Sequence, residues 1–193
     1  MVTSVKRGAR ALGVAESFTG DRSTLCGAVT STVGVVDGFA FTTCTVGGLD
    51  VTEAVVRLWD EAGREDIQLL LLNGVALAWY NIVDLHELAD RVPVPMLALT
   101  FEASDGLEDD IRANFSGAAA ETRLARYQSL PERMSTEVGG AEVFVRALNA
   151  EHLDIGATLS AFTHGGRRPE PIRVARLAAR AADRWRRRTD DAP

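Results

Sequence analysis

The side chains best placed to do chemistry lie where apolar runs end. Ile67 to Leu72 reads as a buried strand, Asn73-Gly74 as a tight turn, and Asp84 as an acid that opens the next helix. Strand, turn and acid in that order set polar groups at the carboxyl edge of a sheet, where α/β folds commonly bind ligands and metals. Glu16 closes an earlier apolar strand, residues 10–16. Carboxylates on neighbouring strand ends hold Mg²⁺ or Mn²⁺, and the ion activates water. Glu16 and Asp84 are therefore the candidate metal ligands, and with Asn73 they form the candidate catalytic set. Asn73 offers only a neutral amide oxygen where such a site wants a carboxylate.

A second group of residues could meet a nucleic acid. Tyr80 and Asn81 could stack on a base or hydrogen-bond to it, as aromatics do in single-strand binders; beside an apolar strand the same residues also serve as core. Arg167 and Arg168 precede a helix over about 169–188, on which Arg173, Arg176, Arg180, Arg184 and Arg187 recur at three- and four-residue steps. Val174, Ala178, Ala181 and Trp185 line another face of that helix and are expected to pack on the sheet. Residues 167–188 hold nine arginines and two acids, a local +7, so the remainder carries −13 in a chain of formal charge −6. An arginine face anchored to the body fits phosphate contact. It equally fits a solvated surface, or pairing with the acidic remainder.

The elements that must position these groups follow from periodicity. Residues 10–16, 24–31 and 35–46 alternate as three strands of a meander. Asp50 and Glu53 form a capping box ahead of a helix ending at Gly63, and Asp84 with Glu87 forms a second, which gives Asp84 a purely structural role as well. Pro93 and Pro95 stop that helix before another buried strand, 95–101. Asp105 and Glu108 cap the next helix, and residues 117–128 form a further one. Residues 131–140 read as loop, 143–147 as a strand and 150–162 as a helix.

Three meander strands followed by alternating helix and strand is the order of an RNase H-like α/β domain. There an antiparallel trio is extended by parallel strands with helices on both faces. The length of 193 residues fits a single domain over 1–193. In that architecture the middle of the first strand and the end of the first parallel strand carry the metal-binding acids. Here those positions hold Ala15 and Asn73. Adjacent strand residues point to opposite faces, so Glu16 does not simply replace an acid at 15.

Four motifs carry a family resemblance: Leu12-Gly13-Val14, then Gly48-Leu49-Asp50-Val51-Thr52, then Asn73-Gly74 with Trp79 to Asp84, and finally Gly165 to Ala175. Through them the chain resembles the endonuclease dU family, an archaeal family similar in fold to endonuclease V. The resemblance implies a Mg²⁺- or Mn²⁺-dependent nuclease acting on deoxyuridine-containing DNA, with a part in DNA repair. Family members show an acidic pair where this chain has Ala15-Glu16, and Asp-Gly where it has Asn73-Gly74. Two other outcomes stay open: a non-catalytic module binding nucleic acid or protein, and a site rebuilt around Glu16 and Asp84.

Composition narrows the classes further. An apolar share of 46% with 25% charged residues excludes a disordered chain. No run reaches the roughly 18 apolar residues of a membrane span, which makes the cytoplasm the expected compartment. Lys6 is the only lysine among many acids and arginines, a balance that fits a GC-rich genome and also a high-salt cytoplasm. Cys26 and Cys44, on neighbouring strands, are expected to be buried thiols. His86, His152 and His164 show no metal-ligand spacing. There is no P-loop, GxGxxG, HExxH or GxSxG.

Overall fold

The protein is described by a computed structural model over residues 3–190. Residues 1–2 and 191–193, which the single-domain reading includes, lie outside the described residues. Strands β1 (Arg10–Phe18), β2 (Arg22–Ser31) and β3 (Val36–Thr45) form the antiparallel meander. Helix α1 (Val51–Ala62) leads to β4 (Ile67–Leu72), which lies parallel to β1 with Leu12 beside Leu70 and Val14 beside Leu72. A two-stranded ribbon, β5 (Ala76–Leu77) and β6 (Asn81–Ile82), and the short helix α2 (Leu85–Ala89) precede β7 (Met96–Thr100), which is parallel to β4. Then come α3 (Glu108–Asn114), α4 (Ala118–Gln128), β8 (Arg133–Val138), β9 (Ala141–Leu148), α5 (Ile155–Ala161) and α6 (Glu170–Asp190). The main sheet runs β3-β2-β1-β4-β7-β9-β8.

Period-two alternation divides the core between the two faces of the sheet. Leu12, Val14, Leu70 and Leu72 join the α1 and α2 side, against Val55, Leu58, Leu85 and Leu88. Ala11, Leu69, Leu71, Leu97 and Leu99 face the other way, against Leu159 and Ile172 of α5 and α6. Helices on both faces are what the continuously apolar β4 and β7 require.

Four expectations are corrected. Residues 131–140 are not loop: β8 and β9 form an antiparallel hairpin around Gly139-Gly140, whose φ angles of 60° and 77° suit a two-residue turn. Within β8 only Val138 is buried, so this edge strand shows no apolar alternation to read. The sheet is accordingly parallel only across β1, β4 and β7, while β9 pairs with β7 antiparallel. Asp105 does not cap α3, which begins after Leu107 with no side-chain cap. Helix α5 is shorter than 150–162, because the Asp154 carboxylate accepts from the Ala157 amide at 2.9 Å and sets its start.

The fourth correction concerns α6. Its buried line is Ile172, Ala175, Ala179 and Asp183, while Trp185 is 63% exposed and Leu177 55% exposed. The reason is the small gap between helix and sheet. Ala175 and Ala179 sit against Ala15, Cys26 and Ala28. A Cβ on Gly13 would lie 2.2 Å from the Pro171 carbonyl carbon. No indole fits between backbones that close. Further along α6, Asp183 is 1% exposed; it accepts from Thr24 Oγ1 and Arg186 Nη2, each at 3.2 Å.

Gly13→Ala should therefore destabilise the protein by at least about 2 kcal/mol, since a backbone contact cannot be relieved by a rotamer change. Gly20→Ala, with nothing within 4 Å of its added methyl, is the matched control. Urea unfolding of both variants measures the difference.

Candidate nucleic-acid interface

The carboxyl ends of β1, β4 and β7 form one edge, and the alternation of β1 decides what reaches it. Ala15 points toward α6 and is fully buried against Ala175 and Ala179. Glu16 follows Leu12 and Val14 to the opposite face. There it accepts from Ser23 Oγ at 3.2 Å and from the Ala78 amide. Burial raises its pKa above the usual carboxyl value; these two hydrogen bonds and the nearby Arg176 oppose the rise, and Asp183 adds to it.

Asn73 is the first residue beyond β4, and its amide donates to the Val14 carbonyl at 2.9 Å. Its carboxamide makes no hydrogen bond among the described residues and lines a cleft between β4, β7 and the hairpin β8–β9. Asp84 is engaged elsewhere, with Oδ1 accepting from the His86 and Glu87 amides, both at 3.0 Å, at the start of α2. The Asp84 amide bonds Thr52 Oγ1 at 3.0 Å, so Glu87 does not close a capping box. Among the described residues no three His, Cys, Asp or Glu side chains gather where they could hold a metal ion.

These positions do not fit Mg²⁺ or Mn²⁺. Hard divalent cations need several oxygen donors, most of them charged. Ala15 has no donor, Asn73 is neutral, Glu16 lies on the other face and Asp84 caps a helix.

Asn81 has a structural position as well. It is fully buried; Oδ1 accepts from the Val51 amide at 3.2 Å, and Nδ2 donates to Asp50 Oδ1 at 2.8 Å and the Thr45 carbonyl at 3.0 Å. Asn81, rather than Asp50, thus caps α1. Burial acts to raise the Asp50 pKa, but hydrogen bonds from Asn81 and Thr45 outweigh it and leave the carboxyl below its usual range. No polar atom of Asn81 is left for a base.

Between Leu77 and Asn81 the chain makes a turn of three consecutive non-glycine residues with positive φ: Ala78 at 45°, Trp79 at 58° and Tyr80 at 56°. Each left-handed residue costs roughly 1–2 kcal/mol. Arg123 of α4, only 3% exposed, holds the turn in place. It donates to the carbonyls of Tyr80 at 3.1 Å, Ala119 at 2.7 Å, Gly48 at 2.9 Å and Gly47, and it lies 3.8 Å from the Phe115 ring centroid. The turn leaves Trp79 47% exposed at the rim, 5.2 Å from Phe115. Tyr80 packs edge-on to Phe115 at 6.1 Å. The sequence alone gives Arg123 no role beyond a place in the helix expected over 117–128; in the structure it is buried on α4 with Ala120 and Tyr127.

The arginines divide into two sets. Arg173 is bound to Glu170 at 2.6–2.9 Å, Arg187 faces Asp183, and Arg184 Nε bonds the Arg180 carbonyl. Arg167, Arg168, Arg176 and Arg180 make no ion pair and no side-chain hydrogen bond among the described residues. Arg168 lies 4.2 Å from the Phe101 centroid and Arg167 5.7 Å from it. Burial lowers the Arg168 pKa, and the charges of Arg176, Arg167 and Arg180 lower it further against only Glu102. Cys26 and Cys44 are free and buried on opposite faces, with burial pushing both thiols up to about 12.

The sheet order and two-sided helical cover define an RNase H-like α/β fold, shared with solved nucleases. Endonuclease V of Ciona intestinalis, in complex with a 23-mer DNA containing an inosine followed by a ribo-adenosine, superposes with a TM-score of 0.61 at 14% identity, over 94% of this chain and 88% of that one. A protein of unknown function from Archaeoglobus fulgidus superposes with a TM-score of 0.78 at 24% identity, over 90% of this chain and 97% of that one. The family model for endonuclease dU matches residues 7–183, and the chain belongs to that family. A UPF0215 protein of Pyrobaculum calidifontis is 32% identical over 171 residues, 87% of this chain and 93% of the relative. No helix among the described residues is long and apolar enough to cross a membrane.

The position of Glu16 predicts a pH effect. Its folded pKa lies above the unfolded value of 4.5, so its stabilising contribution is complete below 4.5 and is lost as pH rises through the folded value. Glu16→Gln should match the native protein near pH 4 and gain relative stability as the pH rises from 4.5 toward neutrality. Urea unfolding across that range measures the difference; a constant gap between the two proteins would contradict it.

Proposed function

We propose that this chain binds nucleic acid, DNA first, across the carboxyl edge of its sheet, and that metal-dependent phosphodiester hydrolysis is absent from it. One observation carries the reading. Arg167, Arg168, Arg176 and Arg180 lie at this edge and make no ion pair among the described residues, while the positions flanking them that call for metal-binding acids hold Ala15 and Asn73. Unpaired guanidiniums on a rigid helix and its leading loop favour phosphate through charge and fork geometry. The family description and the DNA bound by the Ciona endonuclease V support DNA as the ligand, and deoxyuridine-containing strands as the first to try.

The residues would work by position. Arg176 and Arg180 would track the backbone along α6, and Arg167 and Arg168 would meet the strand where it crosses to β4. Trp79 would offer a ring to a neighbouring base at the opposite rim. Affinity built on such contacts falls steeply with salt, so a molar KCl medium weakens it strongly.

A labelled deoxyuridine-containing oligonucleotide, with Mg²⁺ or Mn²⁺ at low and molar KCl, tests both halves. The native protein should bind at low salt and leave the strand uncut. Replacing Arg176 and Arg180 by Gln should lower the slope of log affinity against log salt by about 0.7–0.9 for each phosphate that is no longer neutralised. Metal-dependent cutting, abolished by Glu16→Gln or Asp84→Asn, would instead establish a rebuilt catalytic site.

A further inference from the structure

Beside the free arginines lies a cleft of about 340 Å³. It is bounded by the carboxyl ends of β4 and β7, by the start of β8 and by β9. Val75, Leu99, Phe101, Leu107 and Tyr127 give it apolar and aromatic walls. Its charged lining is one-sided: Arg133, Arg146 and Arg168 against Glu102 alone. None of the three arginines is ion-paired among the described residues.

Two of these guanidiniums are fixed. Arg133 donates to the Ser104 carbonyl at 2.9 Å, the Glu102 carbonyl at 2.7 Å and Thr100 Oγ1 at 3.2 Å. Arg146 donates to the Pro131 carbonyl and to the Tyr127 hydroxyl at 3.2 Å. Arg168 differs: among the described residues its guanidinium makes no hydrogen bond, lies over the Phe101 ring, and has its Nε buried without an acceptor. A buried donor left unpaired is costly, and a ligand acceptor would relieve it. The Asn73 carboxamide, on the same cleft, is also unbonded. The Arg168 guanidinium and the Asn73 carboxamide thus stay uncommitted, as does the exposed Glu102 carboxylate, while Arg133, Arg146, Thr100 and Tyr127 are engaged among the described residues.

We propose that this cleft binds a single nucleotide unit, its phosphate on Arg168 and its base against the aromatic wall with an edge on Asn73. The proposal rests on the nucleic-acid reading and adds the chemistry of one subsite to it. The charge calls for an anion. The volume lies within the range of small-molecule pockets, more than a bare oxyanion fills. Aromatic and aliphatic walls reward a flat ring. A carboxamide presents one donor and one acceptor side by side, which matches the paired donor and acceptor on a nucleobase edge. Asparagine at position 73 then has a positive use: it reads a base where an aspartate would hold a metal.

Calorimetric titration of the whole protein with nucleoside 5′-monophosphates, the matching nucleosides and inorganic phosphate, in low salt, tests the assignment. At least one monophosphate should bind about tenfold more tightly than phosphate or its own nucleoside. Asn73→Ala should weaken that monophosphate about tenfold and leave phosphate binding unchanged. Arg168→Gln should weaken both, and Arg168→Lys, which keeps the charge and guards against a folding defect, should recover phosphate more than the nucleotide. Monophosphates no tighter than phosphate, or an Asn73→Ala variant that binds them normally, would overturn the proposal. If the oligonucleotide still binds through Arg176 and Arg180 in that case, only the subsite falls; if it does not bind, both readings fall.

Discussion

The contact on which the rest depends is the close approach of α6 to β1 and β2. Gly13 gives Pro171 room against the strand backbone, and Ala15, Cys26, Ala28, Ala175 and Ala179 continue the seam with short side chains. That seam fixes the rotation of α6 about its own axis. The rotation turns Ile172, Ala175, Ala179 and Asp183 inward and leaves Arg176 and Arg180 near Arg168 at the sheet edge. The same packing closes the space above Ala15. The positive charge at the edge and the closed space above Ala15 follow from one packing decision.

The other side of the edge is held by backbone rather than by small side chains. Arg123 collects carbonyls from three separated segments, and Asn81 ties the Thr45–Asp50 connection to α1. Buried polar groups fully satisfied in this way rigidify what they join. They explain how three left-handed residues persist at 78–80 without glycine. The result is an edge with one flank set by methyl groups and the other by hydrogen bonds.

Much of the fold was legible because it rests on local periodicity. The meander, the apolar strands β4 and β7, the α1 stripe and the Gly63 stop all announce themselves in the chain. The hairpin β8–β9 was less visible because β8 is an edge strand, although Gly139-Gly140 marked the turn. For α6 the helix was evident but its orientation was not. Apolar periodicity favours Trp185 as an inner residue, whereas the interface selects for smallness and admits a buried Asp183. At the site, the departures at Ala15 and Asn73 could be read directly. The roles of Asn81 and Arg123 could not, since each bonds segments far apart in sequence.

The seam between α6 and the sheet also limits what position 15 can hold. An acid arriving at position 15 would meet the methyls of Ala175 and Ala179 rather than water or a cation. A carboxylate so placed must take up a proton or bear a desolvation cost of several kcal/mol. An acid is therefore not accepted at position 15 by a single substitution, because the helix above must yield first. The packing couples position 15 to α6, so the size of the side chain there and the seating of the helix change only together.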